Sequence, residues 1–227
     1  MIDFEALFKI SYGLYIVSSG DNQSGNGFIS NTVFQVTADP IRFAACCNKD
    51  NHTAGFIKKY GALAVSILHK DTSPELFGLF GYKSGKDIDK IKGMKVIYGE
   101  TGVPIILNEC IAYLELKVVQ TFDVGTHLIF IGELVQSKTL DESKEPITYA
   151  FYRQVRKGVA PKNAPTFVDK SKLQINKQDP SLKKYKCGAC GYIYDESVEK
   201  IKFSELPADW ICPVCGSEKS DFFEIDN

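Results

Sequence analysis

Near the C-terminal end stand two cysteine pairs, Cys187-Gly-Ala-Cys190 and Cys212-Pro-Val-Cys215, with 21 residues between them. Four thiolates in two CxxC knuckles form a tetrahedral sulfur cage for one metal ion, so the chain around them must bring the knuckles face to face. Each knuckle is followed by a glycine, Gly191 and Gly216. A glycine there takes positive φ and turns backbone amides toward the sulfurs, where hydrogen bonds stabilise thiolate and tune a bound metal. Two structural disulfides are the competing reading, which the paired spacing disfavours. Zinc and iron both accept four sulfurs in a tetrahedron. Spacing alone therefore leaves open a structural zinc ribbon and a one-electron iron carrier.

The flanking residues add to this. Tyr185-Lys-Cys-Gly-Ala-Cys-Gly-Tyr-Ile-Tyr-Asp195 and Leu206-Pro-Ala-Asp-Trp-Ile-Cys-Pro-Val-Cys-Gly216 resemble the two halves of a rubredoxin, a match covering 183–225. The resemblance implies one iron held by Cys187, Cys190, Cys212 and Cys215, with zinc as a substitute. It also implies an aromatic core of Phe203, Trp210, Phe222 and Phe223. Such a shell limits water at the metal and influences its potential, and a domain this small needs the burial to fold. The segment between the knuckles is shorter than in most rubredoxins, with Glu196-Ser-Val-Glu-Lys200 in place of a glycine-rich turn.

A chain of 227 residues has room for two domains. Its 44% hydrophobic and 24% charged residues are ordinary for a soluble globular protein. A net charge of −1 gives no reason to expect nucleic acid or an anionic membrane as partner, and no apolar run is long enough to span a bilayer. The start, Met1-Ile-Asp-Phe-Glu, is acidic and lacks a secretory pattern, which reads as cytoplasmic. Cys46, Cys47 and Cys110 fit a reducing compartment as thiols, read as small buried hydrophobes. Residues 181–227 carry six Lys against nine Asp or Glu, a balance of −3. An acidic carrier is steered toward a basic docking patch; solubility alone is the competing account. The polar stretch Lys170–Ser181 reads as a linker. The expected organisation is a barrel over 1–165, a linker over 166–182 and a metal domain over 183–227.

The first part reads mainly as strands. Gly13–Val17, Thr32–Thr37, Ile41–Cys46, Ala62–Leu68, Ala112–Gln120 and His127–Val135 are β-rich, with a turn at Ala38-Asp-Pro40 and a hairpin at Asp123-Val-Gly125. One helix is expected from Asn51-His-Thr53 to Gly61, and another from the N-cap Ser73 with Pro74 in its first turn. Many strands and few helices argue for a mainly β, antiparallel barrel. The absence of strand–helix alternation and of GxGxxG argues against a dinucleotide-binding Rossmann fold.

Asn26-Gly-Phe-Ile-Ser-Asn-Thr-Val-Phe34, Asp39-Pro40, Asn48-Lys-Asp-Asn-His-Thr53, Ser84-Gly-Lys-Asp-Ile-Asp-Lys90, Gly102-Val-Pro104, Asp123-Val-Gly-Thr-His127, Gly132-Glu133 and Thr148-Tyr-Ala150 are similar to the flavin reductase family. The similarity runs over nearly all of 5–165 and implies an FMN-binding split β-barrel, typically a homodimer with FMN near the subunit interface. It implies a cofactor set of Asn26, Gly27, Phe28, Ile29, Ser30, Asn31, Thr32, Cys46, Cys47, Asn48, Asn51, His52, Thr53 and Tyr149. Asn51, His52 and Thr53 open a helix whose first amides suit a phosphate, although Asn and Thr are also ordinary caps. Gly27–Thr32 offers donors to a polar ring edge, or is a plain turn between strands. Lys86 reads as a solvated charge, His69 as structural, and Tyr149 and Tyr152 as barrel aromatics that are more often core. His127 is the catalytic candidate, a partner for flavin or nicotinamide. The family's Gly-Asp-His is Gly125-Thr126-His127 here, which removes the acidic neighbour; a strand histidine satisfied by backbone is the equal alternative.

Together the two resemblances imply a two-step relay: electrons from NAD(P)H through FMN and iron to a flavodiiron-type oxygen or nitric oxide reductase or another redox protein. Two rival expectations are a pure carrier that never reacts with nicotinamide and a non-catalytic flavin-binding protein with a zinc ribbon.

Overall fold

The computed structural model describes residues 2–169, 183–199 and 201–225. Most of the expected linker lies outside them. Seven strands form one antiparallel sheet: β1 (Tyr15–Gly20), β2 (Gly25–Ser30), β3 (Val33–Ala38), β4 (Ile41–Asn48), β5 (Ala62–Leu68), β8 (Cys110–Asp123) and β9 (His127–Thr139), in the order β2-β1-β5-β8-β9-β4-β3. A ribbon of β6 (Val96–Tyr98) and β7 (Pro104–Ile106) packs beside it. The helices are α1 (His52–Tyr60), α2 (Pro74–Phe77) and α3 (Tyr149–Gln154). The metal domain is a three-stranded sheet in the order β11-β10-β12, from β10 (Lys184–Cys187), β11 (Ile193–Asp195) and β12 (Phe222–Ile225). Among the described residues no helix is long and apolar enough to cross a membrane.

Strand burial follows the apolar pattern. β5 is a near-continuous apolar run and is almost wholly buried between β1 and β8, whereas β3 is an edge strand with mostly exposed residues. Register shifts at Glu115/Leu116 and Val118/Gln120 bend β8 against β9, and such bulges increase local twist and let a sheet curl. The curled sheet wraps α1. Ala54 and Ile57, three residues apart on one helix face, sit in a core with Val17, Leu63, Leu116 and Phe130. Ser18 and Ser66 hydroxyls donate at 2.6 Å to the Pro104 and Ile106 carbonyls, pinning β7 to the sheet. Buried Glu115 does the same for the loop before it, accepting from the Glu100 and Thr101 amides and the Thr101 hydroxyl.

Helix α1 begins and ends where its capping residues stand. The Asn51 side chain accepts from the Thr53 amide at 3.0 Å, and Gly61 closes the helix in the left-handed region at φ 62°. One expectation, Phe223 in the aromatic core, needs correction, and one alternative falls away: Gly25–Ser30 is a strand paired along its length with β1, not a plain turn. Its two glycines hide the β signal, yet they are what fits: a Cβ on Gly27 would lie 3.1 Å from the Phe80 ring. In the metal domain Phe223 is half exposed, because alternate residues of β12 face opposite ways and Phe222 takes the inner place. Tyr185, Tyr192 and Tyr194 complete the aromatic cluster instead.

A Cβ at Gly61 meets nothing within 4 Å, so only backbone strain opposes it. Gly61→Ala is expected to destabilise the barrel by about 1 kcal/mol, measured by urea unfolding of the sheet signal. Unchanged stability would contradict the cap.

Candidate functional site

The metal cage forms where two tight turns meet. In the first, Gly191 (φ 77°) donates its amide to the Cys187 carbonyl at 2.9 Å; in the second, Gly216 (φ 74°) donates to the Cys212 carbonyl at the same distance. The four sulfurs lie within 4.8 Å of one another, with Cys187–Cys215 at 3.8 Å and Cys190–Cys212 at 3.7 Å. The Tyr192 amide donates to the Cys190 sulfur at 3.4 Å, and the Ser217 hydroxyl lies 3.2 Å from the Cys215 sulfur. Such second-sphere bonds favour thiolate. Four soft donors at this spacing, under Phe203, Trp210, Tyr194 and Phe222 in edge and tilted contacts of 5.2–5.8 Å, fit iron in a dry tetrahedral site. Cys187 and Cys212 are fully buried, and Cys190 and Cys215 reach the surface at 9% exposure each. The cage therefore has one edge.

Beside that edge lies a cleft of about 610 Å³, within the range of cofactor sites. Its walls are the ends of β2 and β4, the start of α1, residues Phe80–Tyr82 of a π-helical turn that spans Gly78–Tyr82, α3 and a strap over 159–166. Ala189 and Cys190 of the first knuckle close one side. Of the residues singled out in the sequence, Phe28, Ile29, Ser30, Asn31, Cys46, Asn48, Asn51, His52 and Tyr149 line it. Asn26 and His52 line an adjoining depression of about 470 Å³ together with Lys86. Gly27, Thr32, Cys47 and Thr53 stand behind the wall, where Thr53 and Cys47 are buried. Burial pushes the Cys47 thiol up to about 12 and raises that of Cys46, so both remain protonated thiols at neutral pH.

His127 does not line the cleft. Its Nδ1 lies 2.8 Å from the Thr126 hydroxyl and its Nε2 lies 3.1 Å from the Asn163 carbonyl, on the strap. Asn48 Nδ2 donates to the same carbonyl at 3.3 Å, Asn31 Nδ2 donates to the Thr166 hydroxyl at 2.7 Å, and the Tyr82 hydroxyl donates to the Val159 carbonyl at 2.6 Å. The strap is thus tied down along its length.

Sequence reasoning missed the strap, the π turn and Lys90. Lys90 is buried; its ammonium donates to the Gly27 and Phe80 carbonyls at 3.1 and 3.4 Å. Among the described residues no carboxylate pairs with it, and burial pushes it down to about 8. A buried cation in a cleft that the N-terminus of a nine-residue helix also lines is suited to an anion. Apolar walls with a few polar edges and a cationic end fit a phosphorylated flavin. The signal was in Ser84-Gly-Lys-Asp-Ile-Asp-Lys90, but a lysine in a charged run reads as solvated, as the exposed Lys86 is.

Comparisons agree with this geometry. A family model described as flavin reductase like domain matches residues 7–158, and one described as rubredoxin matches 184–222. The high molecular weight rubredoxin of Moorella thermoacetica is 40% identical over 99% of this chain and 100% of its own. A ferric-chelate reductase (NAD(P)H) of Archaeoglobus fulgidus is 42% identical over 74% of this chain and 99% of its own. Among solved structures, flavoredoxin from Methanosarcina acetivorans superposes with a TM-score of 0.54 at 25% identity, covering 58% of this chain and 70% of that one.

Apart from Ala189 and Cys190, the cleft is built from elements of the barrel, and Cys212 is not among its lining residues. Cys212→Ser is expected to abolish iron binding, measured by metal analysis and the ferric-thiolate absorption, while flavin content stays at wild-type level. Loss of both would contradict that separation.

Proposed function

Since the chain belongs to the flavin reductase-like family and, with its rubredoxin domain, to the high-molecular-weight rubredoxins, we propose that it is an oxidoreductase taking electrons from NAD(P)H and passing them through FMN and an iron held by the four knuckle cysteines to an external protein. The observation that carries this is the position of Cys190, which belongs to the cage and also lines the cleft. A flavin accepts a hydride and releases its electrons singly, and a ferric ion in four thiolates accepts them one at a time. The chain's own part is to bind, orient and insulate. Phe28, Ile29 and Phe80 supply apolar wall, Ser30, Asn31 and Asn48 supply polar edge, and Lys90 with the start of α1 supplies a seat for the phosphate. No side chain is assigned as acid or base. His127 is assigned a positioning role, holding the strap through Asn163.

Anaerobic mixing with NADH and NADPH tests the reading. The flavin is expected to bleach with at least one of them. No bleaching would leave the pure carrier, and a colourless, zinc-loaded, flavin-free protein would leave the binding protein with a ribbon. An external acceptor of the flavodiiron type that the resemblance implies is then expected to re-oxidise the iron when added to the reduced protein.

Lys90 gives this reading a pH dependence. Its folded value, about 8, lies below the ordinary lysine value of 10.5. Burying the cation therefore costs stability below pH 8, and that cost is relieved as pH rises from about 8 toward the ordinary value. Phosphate needs the cation, so affinity runs the other way. FMN is expected to bind more weakly as pH rises through about 8, whereas riboflavin, without phosphate, shows no such bend. Lys90→Met should weaken FMN at roughly neutral pH, where the wild-type ammonium is charged, and remove the bend, as read by flavin fluorescence titration. An unchanged FMN profile in Lys90→Met would remove Lys90 from the phosphate seat.

A second copy of the chain is the proposed cover for the exposed apolar residues of the β3 edge and the β8–β9 hairpin. Phe34 and Val36 on β3, Ile41 on β4, and Phe122 and Val124 at the β8–β9 hairpin are all exposed. Edge strands and apolar patches of this kind are usually covered, and the family resemblance implies a homodimer. The thiols of Cys46, Cys47 and Cys110, all unpaired and buried, fit a reducing, cytoplasmic setting.

A further inference from the structure

The metal domain rests on the barrel at a specific seat. The second knuckle packs on the π-helical turn that follows α2, with Cys215 lying against Gly78. A Cβ built on Gly78 would lie 2.3 Å from the Cys215 carbonyl oxygen and 3.4 Å from its Cα. Gly78 is fully helical, at φ −55°, so its backbone does not call for glycine. Only the knuckle does. At the rim, Glu75 reaches toward the other end of the same turn, 3.2 Å from a Cβ placed on Gly216. The contact is continuous with a shared apolar cluster in which Phe77, Phe80 and Tyr152 of the barrel join the four cage cysteines and Val214.

The orientation matters because the cage has one edge. Of its four sulfurs, only those of Cys190 and Cys215 belong to residues that reach the surface. Seating Cys215 against Gly78 turns that edge inward and sets Cys190 in the wall of the cleft.

We propose that Gly78 is a positioning residue for electron entry: its missing side chain lets the second knuckle seat on the π turn and so presents the Cys190 edge of the iron to the flavin cleft. The proposal rests on the reading of the cleft as a flavin site and of the cage as an iron site. The step it serves is a single-electron transfer, in which the reduced flavin loses one electron and ferric iron becomes ferrous. The second electron follows once an outside protein has re-oxidised the iron. Gly78 itself is outside the cleft wall.

The test compares Gly78→Ala and Gly78→Val with wild type in the full-length protein, loaded with flavin and iron. Hydrogen exchange reads the seat without nicotinamide. Peptides covering 74–82 and 212–217 are expected to exchange faster in both variants, more so in Gly78→Val, while peptides of β4 and β9 are unchanged. Anaerobic stopped flow with the effective nicotinamide reads the consequence. A displacement on the order of 1 Å at a reacting geometry can cost about 100-fold, so iron reduction should slow by about tenfold or more while flavin bleaching keeps its wild-type rate. Undisturbed exchange in Gly78→Val would overturn the seat. Wild-type iron reduction in a variant whose seat is visibly loosened would overturn its role in electron entry. Failure of nicotinamide to bleach the wild-type flavin would instead count against the proposed function, with the exchange result standing apart from it. If Gly78→Val loses its cofactors, Gly78→Ala carries both readouts.

Discussion

Close packing between a knuckle and a helical turn fixes how the two halves of this molecule relate. A turn that must bring amides toward sulfur has its backbone on the outside, and the carbonyl of Cys215 therefore needs a partner surface with no side chain in the way. The barrel supplies one at Gly78, in a π-helical turn where the chain between α2 and the Ser84–Lys90 loop changes direction. Protein interiors tolerate little overlap and little empty space, so this contact determines which face of the cage looks at the cleft. The apolar cluster spanning both domains follows from it.

The barrel in turn depends on the curled sheet closing around α1. With Ala54 and Ile57 buried in that core, the helix N-terminus lies at the cleft, where Asn51 and His52 stand. Lys90 is buried in the same cleft wall and held by the Gly27 and Phe80 carbonyls. The strap closes the remaining side through bonds to Asn31, Asn48, Tyr82 and His127, four residues from four different places in the chain. A buried cation with no carboxylate partner among the described residues, a helix N-terminus and an apolar slot thus converge with a metal cage at one place.

Much of this was legible in the sequence, and the limits have physical causes. The cage was legible because metal chemistry demands its residues at short spacing. Strands β4, β5, β8 and β9 were legible because their apolar residues are many and often β-branched. β2 was not: Gly-Asn-Gly-Phe-Ile-Ser has weak strand propensity, and its place is set by what crosses it, Phe80 among them. Lys90 was hidden by charged neighbours, since only the tertiary fold decides which lysine of the run turns inward. Phe223 was misplaced because two adjacent aromatics in a strand cannot share a face. Gly78 could not be read at all. It sits in an ordinary helical conformation, and its reason lies 137 residues away in Cys215. The resemblances supplied what residue patterns could not, the expectation of a flavin and of iron over zinc.

In the proposed relay the iron receives its electrons from the cleft it faces, within one assembled molecule. Anaerobic stopped flow with reduced nicotinamide, repeated across a wide range of protein concentration, tests this most directly. Flavin bleaching followed by iron reduction, with a rate constant for the second phase that does not change with protein concentration, is the predicted result. An iron phase whose rate rises in proportion to protein concentration would mean that electrons arrive by collision between separate molecules, and would contradict the account.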